Sequence, residues 1–518
     1  MDRIPKRPPA DVIADFALKD FAAGQPWLSR FVFFLTGALL MLSFEPVGWY
    51  PLAPVLMLPI LFAFHQLEPR QAARLGFAFG AGLFLTGTYW LYVSIHVFGQ
   101  APLILALLLM IGLVIIMAFY YAATGWLIAR FSGGNNVRFL IVAPAAWVFI
   151  EWVRGWFMSG FPWMTLGYSQ TDSPLAGFAP LVGIFGVSLL LMISTSAVLA
   201  ALMSAGKRRL VFVAIAALPW VSGTVLRTVD WTEVAGPAVR TTIVQGGVSQ
   251  DRKWLREQFR ETLELYRSSL REHGQSDLVI WPEVAIPAVL DQVEDYVSML
   301  QSDIAARKTT LLFGILERDD ARENVYNSVI AIDGQNQQVY RKRHLVPFGE
   351  YFPVPGFVRE WMRMMNLPYS DISAGEDEQA LLRMPDGNLL SVAICYEDAY
   401  AAEQLYALPD AGILINVSND AWFGDSIAPH QHLQIAQMRA LEAGRYVVRA
   451  TNNGISAFIA PDGSILETGP QFELLTLTYD VPPRAGLTPY ARAGNWPVIT
   501  LAFLVLAGAG WLARRPKL

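Results

Sequence analysis

Apolar and polar positions fall into two regimes along the chain. In the first half the apolar positions form nearly unbroken runs at residues 31–44, 52–64, 75–97, 102–128, 139–153, 181–203 and 210–225. Such lengths approach the roughly 20 residues that a helix needs to cross a bilayer, so about seven membrane helices are expected. The first two are short enough to form a hairpin joined at Glu45-Pro46-Val47-Gly48. From about residue 229 to 492 short β-rich runs alternate with helical stretches, and a last apolar run occupies 496–511. The expected layout is an extension over 1–30, a membrane domain over 31–228, a soluble α/β domain over 229–493, and a closing transmembrane helix with its tail over 494–518.

Composition supports a membrane protein: 54% of residues are hydrophobic, 16% are charged and the mean hydropathy is +0.36, outside the range of ordinary soluble domains. Basic residues then set the orientation. Arg3, Lys6, Arg7 and Arg30 precede the first span, and others stand at Arg70 and Arg74, at Arg130 and Arg138, at Lys207 to Arg209, and at Arg514, Arg515 and Lys517. Placing all of these in the cytoplasm puts the large soluble domain on the far side, tethered at both ends. The first run begins late for a signal peptide and is expected to stay as an anchor. The long outward loop at 154–174 carries Trp156, Phe157, Phe161, Trp163, Met164 and Tyr168, which suits an interfacial aromatic belt or, more sharply, a lipid-entry surface. Glu151 and Arg154, three apart at the end of a span, are expected to pair along one helix face.

The net charge of −5 offers no basic excess for nucleic acid, and a single cysteine excludes an intrachain disulfide and Cys/His zinc spacing. No Gly-rich phosphate loop or metal-ligand cluster is visible, so no cofactor is expected.

Chemistry is concentrated at strand exits in the soluble part. Cys395 follows the apolar run Leu389-Leu390-Ser391-Val392-Ala393-Ile394 and precedes Tyr396-Glu397-Asp398. A thiol there is held by a sheet yet open at its tip, where α/β folds place reactive groups; read alone, a lone cysteine is more often a small core hydrophobe. Asp277-Leu278-Val279-Ile280-Trp281-Pro282-Glu283 reads as a strand with Glu283 just beyond it. Further strands are expected at 309–316, 328–332 and 412–417, the last leading into Ser418-Asn419-Asp420. The run Val339-Tyr340-Arg341-Lys342-Arg343-His344 leaves the sheet through a basic stretch, which by itself is an ordinary solvated loop.

Trp-Pro-Glu at Glu283, Tyr-Arg-Lys-Arg-His-Leu-Val-Pro-Phe-Gly-Glu around Lys342, and Ile-Cys-Tyr-Glu at Cys395, in that order, resemble the Glu-Lys-Cys triad of the nitrilase superfamily. Set between membrane spans, they resemble the apolipoprotein N-acyltransferase family of the bacterial inner membrane over nearly the whole chain after about Arg30. The resemblance implies a multispan helical membrane domain plus a nitrilase-like αββα sandwich facing the periplasm. It also implies transfer of an acyl chain, the sn-1 chain, from a phospholipid through a Cys395 thioester to the amino group of a diacylglyceryl-cysteine on an apolipoprotein, by a monomer. Glu283 would be the base. Lys342, with the backbone N–H of Tyr396, would stabilise the thiolate and the oxyanion. Glu350 fits a supporting glutamate, and Tyr396 and Glu397 match positions needed for activity. Trp254 matches a tryptophan that touches substrate, with core packing as the competing reading. The apolar stretch Pro347-Phe348 through Pro355, followed by Trp361, Met362, Met364 and Met365, reads as a membrane-dipping lid or as core. A membrane-anchored amidase acting on a small C–N substrate, or a catalytically dead scaffold, are the alternatives.

Overall fold

The computed structural model describes residues 22, 24–133, 135–305, 308–319, 321, 324–351 and 372–514. Two compact units emerge, one from residues up to Val229 together with Ala493–Leu518, the other from Asp230–Arg492.

In the first unit each of the seven early apolar runs folds as helix: α1 (Pro26–Leu40), α2 (Leu52–Gln66), α3 (Pro69–Gly87), α4 (Leu103–Ser132), α5 (Asn136–Arg154), α6 (Ala179–Leu202) and α7 (Gly206–Leu226). The late run gives Trp496–Arg514. Among the described residues six helices are long and apolar enough to cross a membrane, and α3 becomes a seventh if counted with Trp90–Phe98 across a 52° bend. Helix α2 has 15 residues, about 22 Å at 1.5 Å per residue, short of a hydrocarbon core of about 30 Å. Small residues allow α1 and α3 to cross backbone to backbone: a Cβ at Gly37 would lie 1.9 Å from the Phe79 carbonyl oxygen, and one at Gly82 equally close to that of Phe34.

Glu151 and Arg154 are both buried, but they hold the following loop and not each other. Arg154 Nη1 donates to the carbonyls of Phe161 and Trp163, Nη2 donates to Thr165 Oγ1, and Glu151 Oε1 accepts from Leu166 N at 2.7 Å. This clamp divides the aromatic run. Trp156 and Phe157 stay exposed, whereas Trp163, Met164 and Tyr168 are folded inside.

The second unit is a four-layer αββα sandwich. Its strands are β1 (Glu233–Val234), β2 (Val239–Gln245), β3 (Leu278–Ile280), β4 (Ile286–Val289), β5 (Thr310–Arg318), β6 (Val325–Ile332), β7 (Gln337–Arg341), β8 (Leu382–Arg383), β9 (Leu389–Ile394), β10 (Ile413–Ser418), β11 (Val447–Thr451), β12 (Ala457–Ile459), β13 (Ile465–Thr468), β14 (Leu475–Val481) and β15 (Arg484–Ala485). One sheet runs β14-β2-β3-β5-β6-β7 with β4 beside β5, the other β13-β12-β11-β10-β9-β8, and β1 pairs with β15. Alternate residues of the two sheets, among them Ile243, Ile280, Leu312 and Val329 against Val392, Ile394, Ile415 and Val448, form a single buried core, as the two-residue period of strands requires. The outer face of the first sheet is covered by α8 (Arg256–His273) and α9 (Glu294–Ala305) through Tyr266, Leu270, Leu300 and Ile304. The outer face of the second is covered by α10 (Ala428–Ala443) through Leu433, Ala436 and Ala440. Buried on both faces, the central strands read as continuous apolar runs.

Candidate active site

Strands β2, β3 and β5 run parallel in one sheet and β9, β10 and β11 in the other. Their carboxyl ends bring Glu283, Cys395 and Asn419 to a common edge, and Lys342 joins them one residue beyond β7, its N–H on the Asn327 carbonyl at 2.8 Å. Parallel sheets collect ligand sites at this edge because the chain leaves each strand there and the polar groups of the turns converge.

Lys342, 1% exposed, lies with Nζ 2.9 Å from Glu350 Oε1 and 3.4 Å from Glu283 Oε1. Asn327 Nδ2 bridges the same two oxygens at 2.7 Å to Glu283 and 3.0 Å to Glu350. The other Glu283 oxygen accepts from Asn419 N at 2.8 Å, and the other Glu350 oxygen from Val346 N at 2.8 Å. Burial opposes the charge on Lys342, but Glu350 and Glu283, with Cys395 adding less, outweigh it and hold the ammonium well above the usual lysine range. A cation fixed this firmly stabilises an oxyanion without giving up its proton.

Cys395 is partly exposed and starts a 3-10 helix, Cys395–Ala399, with φ at +53°. That left-handed conformation is unusual for a residue with a side chain. Burial pushes the thiol well up, and the Glu283 carboxylate adds to this; Lys342 and a hydrogen bond with Ser418 pull it down without prevailing. The resting sulfur therefore keeps its proton, and attack requires a base that removes the proton as the bond forms. Glu283 interacts electrostatically with both the Lys342 ammonium and the Cys395 thiol.

Glu397 is fully buried and accepts from Ile394 N and Arg343 N at 2.6 Å, from Tyr340 OH at 3.0 Å and from His344 N at 3.2 Å. It thus ties the cysteine turn to the lysine loop, while burial pushes its carboxyl up against those donors. The Tyr396 ring meets those of His344 and Tyr400 edge-on. Trp254 is 53% exposed, so the core-packing reading fails for it. Of the expected lid, Phe348 is exposed, but Phe352 to Pro355, Trp361, Met362, Met364 and Met365 lie outside the described residues.

Several groups had no sequence signal. Lys253, 3% exposed, donates to the Glu283 carbonyl at 3.2 Å, and burial lowers its pKa to about 8. Asn327 and His432 also lie far from their partners in sequence. Among the described residues one set, Cys395, Asp420 and His432, has metal-ligating atoms within 4.8 Å of one another. Its polar atoms are spent internally, Asp420 on Arg449, Ser418 and His432, and His432 on Asp420 and the Cys395 carbonyl.

Comparison with known proteins adds the lineage. A family model described as apolipoprotein N-acyltransferase N-terminal domain matches residues 36–197, and one described as carbon-nitrogen hydrolase matches residues 240–490. A Methylococcus capsulatus protein curated as apolipoprotein N-acyltransferase is 40% identical over 470 residues, 90% of this chain and 93% of its own. A Pseudomonas syringae pv. tomato protein of the same name is 38% identical over 499 residues, 95% of this chain and 98% of its own. Among solved structures, a Saccharomyces cerevisiae member of branch 10 of the nitrilase superfamily is 19% identical, with a TM-score of 0.37 over 48% of this chain and 92% of that one.

Proposed function

The chain belongs to the apolipoprotein N-acyltransferase family, and we propose that Cys395, Glu283 and Lys342 carry its reaction, the transfer of an acyl chain from a phospholipid to the amino terminus of a diacylated apolipoprotein. The observation that carries the reading is the cluster of buried Glu283 and Lys342 with partly exposed Glu350 at the strand edge beside the chain's one cysteine.

In the first half-reaction Glu283 takes the thiol proton as Sγ bonds to the ester carbonyl carbon. Charge collects on the carbonyl oxygen, opposite the Lys342 ammonium and the Tyr396 backbone N–H. The C–O bond to glycerol then breaks, and Glu283 returns the proton to the leaving oxygen, giving a Cys395 thioester and a lysophospholipid. In the second half-reaction the α-amine of the diacylglyceryl-cysteine attacks the thioester, its proton passes through Glu283, and the C–S bond breaks to regenerate the thiol. Lipid donor and lipid acceptor take turns at one sulfur, a ping-pong order. Glu350 holds Lys342, Glu397 and Tyr396 shape the turn, and exposed Trp254 is offered to substrate.

This is a membrane protein with lipid and lipoprotein substrates. The finer placement we propose is the inner membrane, with residues 31–228 and 494–518 spanning it, the basic loops cytoplasmic, residues 229–493 periplasmic and one chain as the working unit; the distribution of basic residues supports it. The match of the membrane half to the N-terminal-domain family model favours this reading over an anchored amidase. Purified protein given phospholipid and a synthetic diacylglyceryl-cysteine peptide should yield triacylated peptide and lysophospholipid in equal amounts. Hydrolysis of a small amide with no peptide acylation would overturn it.

A further inference from the structure

We propose that His432 is a positioning residue that aims the oxyanion-stabilising N–H of Tyr396, an inference that rests on the acyl-transfer reading above. His432 stands in the second turn of α10, buried, with Nε2 3.2 Å from the carbonyl oxygen of Cys395 and Nδ1 3.0 Å from Asp420 Oδ1. A backbone carbonyl only accepts hydrogen bonds, so Nε2 donates to it. The peptide joining Cys395 to Tyr396 is trans and planar, so its C=O and N–H point in opposite directions as one rigid plate. Gripping the carbonyl from behind therefore fixes the direction of the Tyr396 N–H. The grip matters because this plate hangs on a residue at φ +53°, a conformation that costs energy unless its surroundings hold it.

The grip is itself anchored. Asp420 Oδ1 also accepts from Ser418 Oγ at 2.8 Å, and Oδ2 accepts from Arg449 Nη2 at 2.7 Å, while Arg449 Nη1 donates to Asn416 Oδ1. Burial works against the Asp420 charge, but Arg449 and then His432 hold its carboxyl well below the usual range. A Cβ at Gly454 would fall 2.4 Å from Asp420 Oδ2, so the absence of a side chain there is what leaves room for the carboxylate. Five charged or polar side chains, each at most 1% exposed, are thus assembled behind the nucleophile, at a desolvation cost that stability alone does not justify. The same contacts separate His432 from a Cys-His-Asp base. Both ring nitrogens are already engaged, Nδ1 by Asp420 and Nε2 by the Cys395 carbonyl, so the task of taking the thiol proton stays with Glu283.

The test uses full-length His432→Asn and His432→Gln. The Asn amide keeps a donor toward Asp420 only, whereas the Gln amide reaches the Cys395 carbonyl. Single-turnover acylation by phospholipid, read by intact mass, is compared with iodoacetamide alkylation of Cys395, which needs no oxyanion site. Acylation of the Asn variant should fall about 10²-fold, toward the loss of one oxyanion donor, with alkylation within about threefold of wild type, and the Gln variant should recover about tenfold of the loss. Should the Asn variant fail to fold, Asp420→Asn carries the test, with acylation down about tenfold and alkylation unchanged. Wild-type acylation in the variant read, equal losses of acylation and alkylation, or equal rates for the Asn and Gln variants would each overturn the proposal. A wild-type protein that takes up no acyl group would instead overturn the acyl-transfer reading.

Discussion

At the scale of single residues, the site is a problem of buried charge. Lys342 has two carboxylates and Glu283 has a cation, an amide and a main-chain N–H, so removing one member strands the others in a poorly solvated place. Lys342→Met should abolish thioester formation and destabilise the domain by about 3–5 kcal/mol, the usual cost of breaking a buried ion pair; retained acylation in that variant, by intact mass, would remove Lys342 from the mechanism. Lys253 behaves in the opposite sense. Its folded pKa of about 8 lies below the ordinary 10.5, so between these values the unfolded chain binds a proton that the folded one does not, and stability rises with pH across that window. Lys253→Met should melt higher than wild type near pH 7, and the gap should close as pH passes from about 8 to 10.5. A gap that is constant with pH would show that Lys253 stays charged. Cys395, Glu283 and Lys342 were legible in the sequence because each follows a strand-like run or lies in a distinctive motif. Asn327, Lys253 and His432 were not, since their partners lie 44, 30 and 37 residues away and only the closed sandwich brings them together.

At the scale of elements, the reactive turn is set by what lies before and after it. Strand β9 delivers Cys395, and Glu397, which also accepts from Ile394 N of that strand, locks the turn to β7 and its exit through three donors. Glu397→Ala leaves those donors unmet in the core and should lower the melting temperature and acylation together; a variant with wild-type values for both would show the clamp to be dispensable. Trp281, fully buried against Tyr266 and Phe313, seats the turn that carries Glu283. Its replacement by Ala should cost about 3–5 kcal/mol, measured by denaturant unfolding of the folded domain signal. The central strands were legible because they are apolar on both faces. The expected stretch 309–316 is found as Thr310–Arg318 and 328–332 as Val325–Ile332, extended by Glu317-Arg318 and by Val325 to Asn327, whose polar or partly exposed side chains break the apolar run. The pairing of Glu151 with Arg154 was misread because helix spacing shows only that two side chains share a face. The unpaired main-chain groups of the following loop were stronger claimants for both.

At the scale of the whole molecule, hydropathy separated the chain near residue 229, where the compact units also divide. In a Cys395→Ala background, a single cysteine at exposed Asp386 should react with an impermeant maleimide in cells with a permeabilised outer membrane. One at exposed Lys207 should react only after lysis; the reverse pattern would invert the proposed orientation. The most direct test of the central claim is the intact mass of the purified protein after incubation with phospholipid. Wild type should gain the mass of one acyl chain, released by hydroxylamine, and Cys395→Ala should gain none. An acyl adduct that persists without the sulfur, or a wild-type protein that remains unmodified, would contradict the account.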